Sequence, residues 1–209
     1  MAVLIDHFES RLGRMEGAWS PPAHAVNGSP QVGCFRGGLL APAQFFATIG
    51  LHRTGLTAPA PGGHLHLELI IGDYPQDGGA GPLPDVLDWV ADRVVAGGRA
   101  VSRGDVIPLP IPLGPGGRMT ALYAAAPVYF DDDFASALIE NGTTVFVVWL
   151  LPVGAGEAAF ITNRGREAFE QELVRQDPDL LDLGRPHLTL EEPDASSKHT
   201  QSRTPDRHR

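Results

Sequence analysis

The residue types that could do chemistry in this chain fall in three short runs. His64, His66 and Glu68 occupy alternate positions of an apolar segment. If that segment is a strand, all three share one of its faces. Imidazoles and a carboxylate are zinc-ligand types, but a site also needs a fourth ligand or a water held by three converging groups. No second cluster is evident to complete one. The plain reading is two histidines on the solvent face of a strand. The other is a metal-dependent hydrolase using His64, His66 and Glu68. Asp131, Asp132 and Asp133 form the second run. Hard cations want oxygens from several directions, and three adjacent acids point apart. Such acids suit a helix N-terminus, where a capping residue stabilises by roughly 0.5–2 kcal/mol. They also suit contact with a basic partner, which makes Asp131, Asp132 and Asp133 the candidate partner-binding residues. The third run, Gly114-Pro115-Gly116-Gly117, lacks the spacing and the Lys-Ser/Thr of a phosphate loop and reads as a turn. No dinucleotide fingerprint follows a strand, and there is no nucleophile elbow. The residues therefore assign no catalytic, cofactor-binding or metal site.

The elements that must position these runs follow from periodicity. Val3 to Met15 has helical spacing, ended by Gly17, and Gly17 to Pro30 reads as a loop. Val32–Arg36 and Gln44–His52 are strands. His64–Ile71 alternates, with Leu65, Leu67, Leu69 and Ile71 on one side, so a half-buried strand is expected. Pro84 starts a helix whose apolar face is Val86, Leu87, Val90, Val94 and Val95, and Gly97-Gly98 stops it. Pro108, Pro110 and Pro112 lack the N–H a ladder needs, so Asp105–Gly117 is an edge or surface-hugging segment. Met119–Ala126 is a strand. Asp133 caps a short helix through Ile139, and Asn141-Gly142 turns the chain into Thr144–Leu151, the most β-prone run and central to the sheet. Glu157–Gln176 is a helix with a kink at Gly165. Trp89 and Trp149 are expected in the core, whereas Trp19 is expected in a loop, an exposed anchor being the alternative reading.

Composition narrows the function classes. Hydrophobic residues make up 43% of 209, enough for one sizeable core. A net charge of −9 opposes binding to nucleic acid or an anionic membrane and favours a basic partner. Cys34 is the single cysteine, so no internal disulfide forms, and it reads as a small buried hydrophobe. Asp6 and Glu9 interrupt the apolar start, so no secretory signal is read, and a cytoplasmic location is expected. The segment Asp194–Arg209 has no large apolar residue and is expected to be disordered. The predicted fold is α+β: a single domain with a mixed β-sheet and helices packed against it, followed by a disordered C-terminal tail. Residues 1–30 are read as an N-terminal helix and loop, 31–190 as the domain and 191–209 as the tail.

From roughly Leu65 to Leu188 the chain resembles the suppressor-of-fused-like domain family, in its bacterial single-domain form. Gly104-Asp105-Val106-Ile107-Pro108-Leu109 resembles the family's Gly-x-x-Ile/Leu-Pro turn. Met119-Thr120-Ala121-Leu122 through Pro127-Val128 and Phe134 resembles its strand and Pro passage. Val147-Val148-Trp149-Leu150-Leu151-Pro152-Val153 resembles its second strand, followed by the Glu157 helix and Asp182-Leu183-Gly184-Arg185-Pro186. Where the family often has Trp-Gly-His-Thr, this chain has Arg103-Gly104-Asp105-Val106. The resemblance implies a non-enzymatic protein-binding domain without cofactors. Its bacterial members imply an immunity-type protein neutralising a toxin partner, and the acidic charge suits a basic toxin. The alternatives are a cytoplasmic scaffold that captures an extended peptide by adding it to a sheet edge, and the hydrolase above.

Overall fold

The computed structural model describes residues 2–58, 63–75, 79–140 and 142–190. The expected disordered segment Asp194–Arg209 and the middle of the Ala58–Gly63 turn lie outside them.

The apolar spacing of the first residues produces helix α1 (Ala2–Leu12), which buries Leu4, Phe8 and Leu12. It ends earlier than the spacing predicts. Gly13 takes φ 94°, and a Cβ there would run into the Arg36 carbonyl and the Gly38 N–H. Only glycine meets both demands. The chain then passes directly into β1 (Gly13–Trp19), antiparallel to β2 (Gln31–Gly37) with a bulge between Met15 and Gly17. This corrects the loop expected from Gly17. β1 is an exposed edge strand without apolar alternation, and pairing with β2 is what makes it a strand.

β3 (Gln44–Ile49) continues the antiparallel run. A 3₁₀ turn at Leu51–Arg53 and the two-residue β4 (Leu56–Thr57) lead to β5 (His64–Asp73). Helix α2 (Leu83–Gly97) starts with Pro84 in its first turn and stops at Gly98, as the sequence predicts. β6 (Val106–Leu113) and β7 (Met119–Ala125) form an antiparallel pair that loses register after Pro108. The short helix expected from Asp133 is instead a 3₁₀ turn, Asp132–Ala135, followed by β8 (Ser136–Leu138). Pairing of β8 with Thr144–Phe146 claims those residues for a hairpin and overrides their helical tendency. β9 (Thr144–Val153) follows, then α3 (Ala155–Arg164) and α4 (Arg166–Gln176), which break at Gly165 rather than bend.

The sheet order is β1-β2-β3-β5-β9-β7-β6, with β4 on β5 and β8 on β9. β5 and β9 are parallel and central, and the other pairs are antiparallel, so the sheet is mixed. Helices cover both faces. Leu4, Phe8, Ile161 and Phe169 of α1, α3 and α4 pack with Phe35, Phe45, Tyr123 and Trp149. Leu83, Leu87, Val90 and Val94 of α2 pack with Phe46, Leu67, Leu69 and Leu150. Burying one such Phe or Leu contributes roughly 1.5–3 kcal/mol. The second helical layer is why β5 is not half-buried. Leu67, Leu69 and Ile71 join one core, and Ile70 on the opposite face joins the other. Helix α1 thus shares the core of the domain; Trp149 is buried, Trp89 half-buried and Trp19 exposed.

Candidate partner-binding trough

Glu68 is buried and does not face solvent beside His64 and His66. Its carboxylate accepts hydrogen bonds from Thr48 Oγ1 (2.5 Å) and from the N–H groups of Gly50 (2.9 Å), Leu51 (3.3 Å) and His52 (3.2 Å). His52 Nδ1 lies 2.5 Å away. His66 Nδ1 is engaged by the His52 carbonyl at 2.6 Å, and His64 stands exposed. Glu68 therefore fastens the 3₁₀ turn to β5, and its lone pairs are taken. Among the described residues no group of three His, Cys, Asp or Glu is placed to hold a metal ion.

Asp131, Asp132 and Asp133 are exposed, but they serve the fold locally. Asp133 accepts two hydrogen bonds from Arg11 Nη2 at 3.1 and 3.2 Å, and Asp131 lies 3.8 Å from the same guanidinium. No side-chain cap bond forms at this turn. The turn instead seats the buried Phe134 against Phe130 (ring centroids 4.6 Å), Phe8 (6.2 Å) and His7 (5.1 Å). Arg11 offsets part of the negative charge the run offers a partner.

A larger acidic surface is built where α4 ends. Asp177 takes φ 44° and closes the helix, and Pro178 cannot continue it. The next residues form a wall in which apolar side chains anchor and acids stay outside. Leu180 and Leu181 are buried, whereas Asp177, Asp179 and Asp182 are exposed. Asp179 and Asp182 accept the N–H groups of Leu181 (3.0 Å) and Gly184 (2.7 Å). The Tyr129 hydroxyl donates to the Pro178 carbonyl (3.2 Å) and accepts from the Leu180 N–H (3.1 Å). Beyond the wall the buried Arg185 donates to Glu157 Oε1 (2.8 Å) and Oε2 (3.0 Å) and to the Pro152 carbonyl (3.3 Å). Gly154 and Leu188 N–H groups donate to the same carboxylate at 2.8 and 3.0 Å. Burial pushes the Glu157 carboxyl up, but Arg185 and these N–H groups outweigh it and hold the group below the usual carboxylate range.

This wall, α2 and β6 enclose a groove of about 600 Å³. Pro82, Asp85, Val86 and Trp89 line it from α2, and Pro110 to Pro115 from β6 and the following turn. Gly114 lets the turn touch the wall, since a Cβ there would strike the Leu183 carbonyl. A second depression of about 460 Å³, lined by Leu39, Tyr129, Asp177 and Asp179, shares Tyr74 and Leu181 with the first. Together they make one trough, apolar in its first part and more polar in its second, with five aspartates: Asp73, Asp85, Asp177, Asp179 and Asp182. None of its described lining residues is Lys, Arg or His. Asp73 is the buried member. Burial raises its pKa to about 6, against the opposing Gln44 hydrogen bond (2.9 Å) and the Arg36 charge. Such a surface suits an extended segment that carries apolar side chains together with Lys or Arg. Sequence reasoning missed it because its parts come from distant stretches. The one local sign is Asp177-Pro178-Asp179-Leu180-Leu181-Asp182, acids interleaved with core anchors.

The sequence model of the Suppressor of fused protein (SUFU) family matches residues 34–186. The chain belongs to the SUFU family. All five aspartates of the trough, both its walls and Arg185 lie inside the matched stretch. A SUFU homologue from Neisseria gonorrhoeae FA 1090 superimposes with a TM-score of 0.70 at 14% identity, over 91% of this chain and 97% of that one. A chain of the Sufu-Fu complex does so with a TM-score of 0.65 at 15% identity, covering 90% of each. Drosophila Suppressor of Fused gives a TM-score of 0.60 at 14% identity, over 87% of this chain and 48% of that one. At these identities the likeness concerns the fold. No curated protein matches the chain. No helix among the described residues is long and apolar enough to cross a membrane.

Proposed function

We propose that this SUFU-family chain is a non-enzymatic binding domain that takes a basic protein partner in the acidic trough, as a cytoplasmic immunity-type protein neutralising a toxin. The observation that carries this reading is the set of five aspartates over an apolar groove and an adjoining polar depression, with no cation among the described lining residues. The Sufu-Fu complex supports protein binding as the family's mode of action. The net charge of −9 would steer a basic partner toward the domain. A buried, donor-saturated Glu68 speaks against the hydrolase reading.

Addition of a peptide to a sheet edge has less support. At one edge, Pro108, Pro110 and Pro112 present no N–H from β6. At the other, β1 carries a bulge, and the Met15 N–H is taken by Glu9 Oε1 at 2.9 Å. Docking then depends on the trough, and Asp131, Asp132 and Asp133, partly compensated by Arg11, offer a separate acidic contact. The test begins with the genes adjacent to this one: a toxin domain found there is expressed in cells, and growth rescue is measured. The wild type restores growth and the D177N/D179N/D182N variant does not. Equal rescue by that variant contradicts the trough, and no rescue by the wild type contradicts the immunity role.

A further inference from the structure

The chain carries its own basic segment, rooted at the rim of the trough. Gln176, the last residue of α4, donates from Nε2 to the Thr189 carbonyl (3.0 Å) and accepts the Thr189 N–H at Oε1 (2.9 Å). Asp177, which follows it, lines the second depression. The polypeptide therefore leaves the described fold, at Leu190, beside the acids of the trough. Charge in the residues beyond is sorted. Glu191, Glu192 and Asp194 come first, and residues 195–209 then hold Lys198, Arg203, Arg207 and Arg209 against the one acid Asp206. Like charge between these leading acids and the trough disfavours their contact with it. Lys198 lies eight residues past Leu190, a reach of up to roughly 27 Å for extended chain.

We propose that the basic segment 195–209 occupies the acidic trough in the free protein and yields it to a basic partner. The proposal rests on the trough being the partner site, and it adds a built-in competitor. A segment tethered this closely meets its site at an effective concentration on the order of millimolar. Ion pairs too weak to hold a separate peptide then suffice to keep the trough filled, and salt weakens them. The consequence is selectivity. A loosely basic protein fails to displace the segment, and a partner that also fills the apolar groove by Trp89 and Ile111 succeeds.

One residue makes this directly testable. Lys198 is the only lysine in the sequence. Zero-length carbodiimide coupling of the full chain at low salt, read by mass spectrometry of digested monomer, is expected to join Lys198 to Asp177, Asp179 or Asp182. High salt and the D177N/D179N/D182N variant are expected to abolish that product. Coupling of Lys198 only to Glu191, Glu192, Asp194 or the Asp131–Asp133 turn overturns the proposal. So does a pattern unchanged in the variant. The second arm measures binding of a labelled nona-arginine peptide by fluorescence anisotropy. The full chain with K198Q/R203Q/R207Q/R209Q is expected to bind it about three- to tenfold more tightly than the wild type, the factor for a trough otherwise free a third to a tenth of the time. Equal affinities overturn the proposal and leave the trough reading standing. No binding to either protein, even with the Lys198 product intact, refutes the trough as a site for basic partners and overturns the proposal with it.

Discussion

Replacing Arg185 by Met tests how the trough wall is held. Arg185 is 3% exposed and spends its donors on Glu157 and the Pro152 and Pro186 carbonyls. The R185M variant keeps most of the side-chain volume but leaves a buried carboxylate with the Gly154 and Leu188 N–H groups and the His187 ring at 3.8 Å. Breaking a buried pair in this way destabilises by about 3–5 kcal/mol. In urea, with an m-value of roughly 2–3 kcal/mol per molar, the unfolding midpoint falls by about 1–2 M. The double variant R185M/E157Q removes the stranded charge and is expected to recover about half or more of the loss. The pH dependence follows with a defined sign. In the wild type Glu157 titrates below its unfolded value, so its contribution is present above the usual carboxylate range and is lost as pH falls through the folded pKa. In R185M burial is opposed by the Gly154 and Leu188 N–H groups without the guanidinium, so that pKa rises relative to wild type, and the deficit is largest near neutrality and shrinks in acid. A single variant within 1 kcal/mol of wild type, or a double variant as unstable as the two singles added, would refute the reasoning.

Asp73→Asn relieves a buried carboxylate. With its folded pKa raised to about 6, the folded state holds the proton more tightly than the unfolded chain, so stability declines as pH rises from about 4 to 6. D73N is expected to gain roughly 1–2 kcal/mol above pH 7 and nothing near pH 4, measured by urea titration at both. Gly114→Ala places a Cβ against the Leu183 carbonyl at φ 75° and is expected to lose about 2 kcal/mol or more by thermal unfolding, with faster hydrogen exchange at Leu181–Gly184. Glu68→Ala strands the Thr48 hydroxyl and the Gly50, Leu51 and His52 N–H groups, a loss of about 3 kcal/mol or more by the same measurement.

Much of the fold was legible because local signals and tertiary demand agree. Pro84 and Gly98 bracket α2, and the β-branched run at Thr144 becomes the central strand β9. Where they disagree, packing decides. Asp133 to Ile139 looks like a helix start, yet Phe134 is needed in the core and Ser136–Leu138 is needed beside β9. The alternation of His64 to Ile71 correctly separates two faces, but periodicity cannot say that a second layer covers the polar one and buries Glu68. The site was the least legible part. An acid run in sequence, Asp131–Asp133, is compensated by Arg11 from 122 residues away in the chain. The stronger acidic surface assembles only when Asp73, α2, β6 and the Asp177–Asp182 wall meet, and no local pattern encodes that meeting.

The most direct measurement is the affinity of the purified full chain for the proposed basic partner, a toxin domain taken from a gene adjacent to its own, by titration calorimetry, with and without D177N/D179N/D182N. Binding weakened at least tenfold by those three substitutions, with folding unchanged, is the predicted result. Affinity that ignores them, or a toxin that never binds, would contradict a partner held by acids at the rim of the groove.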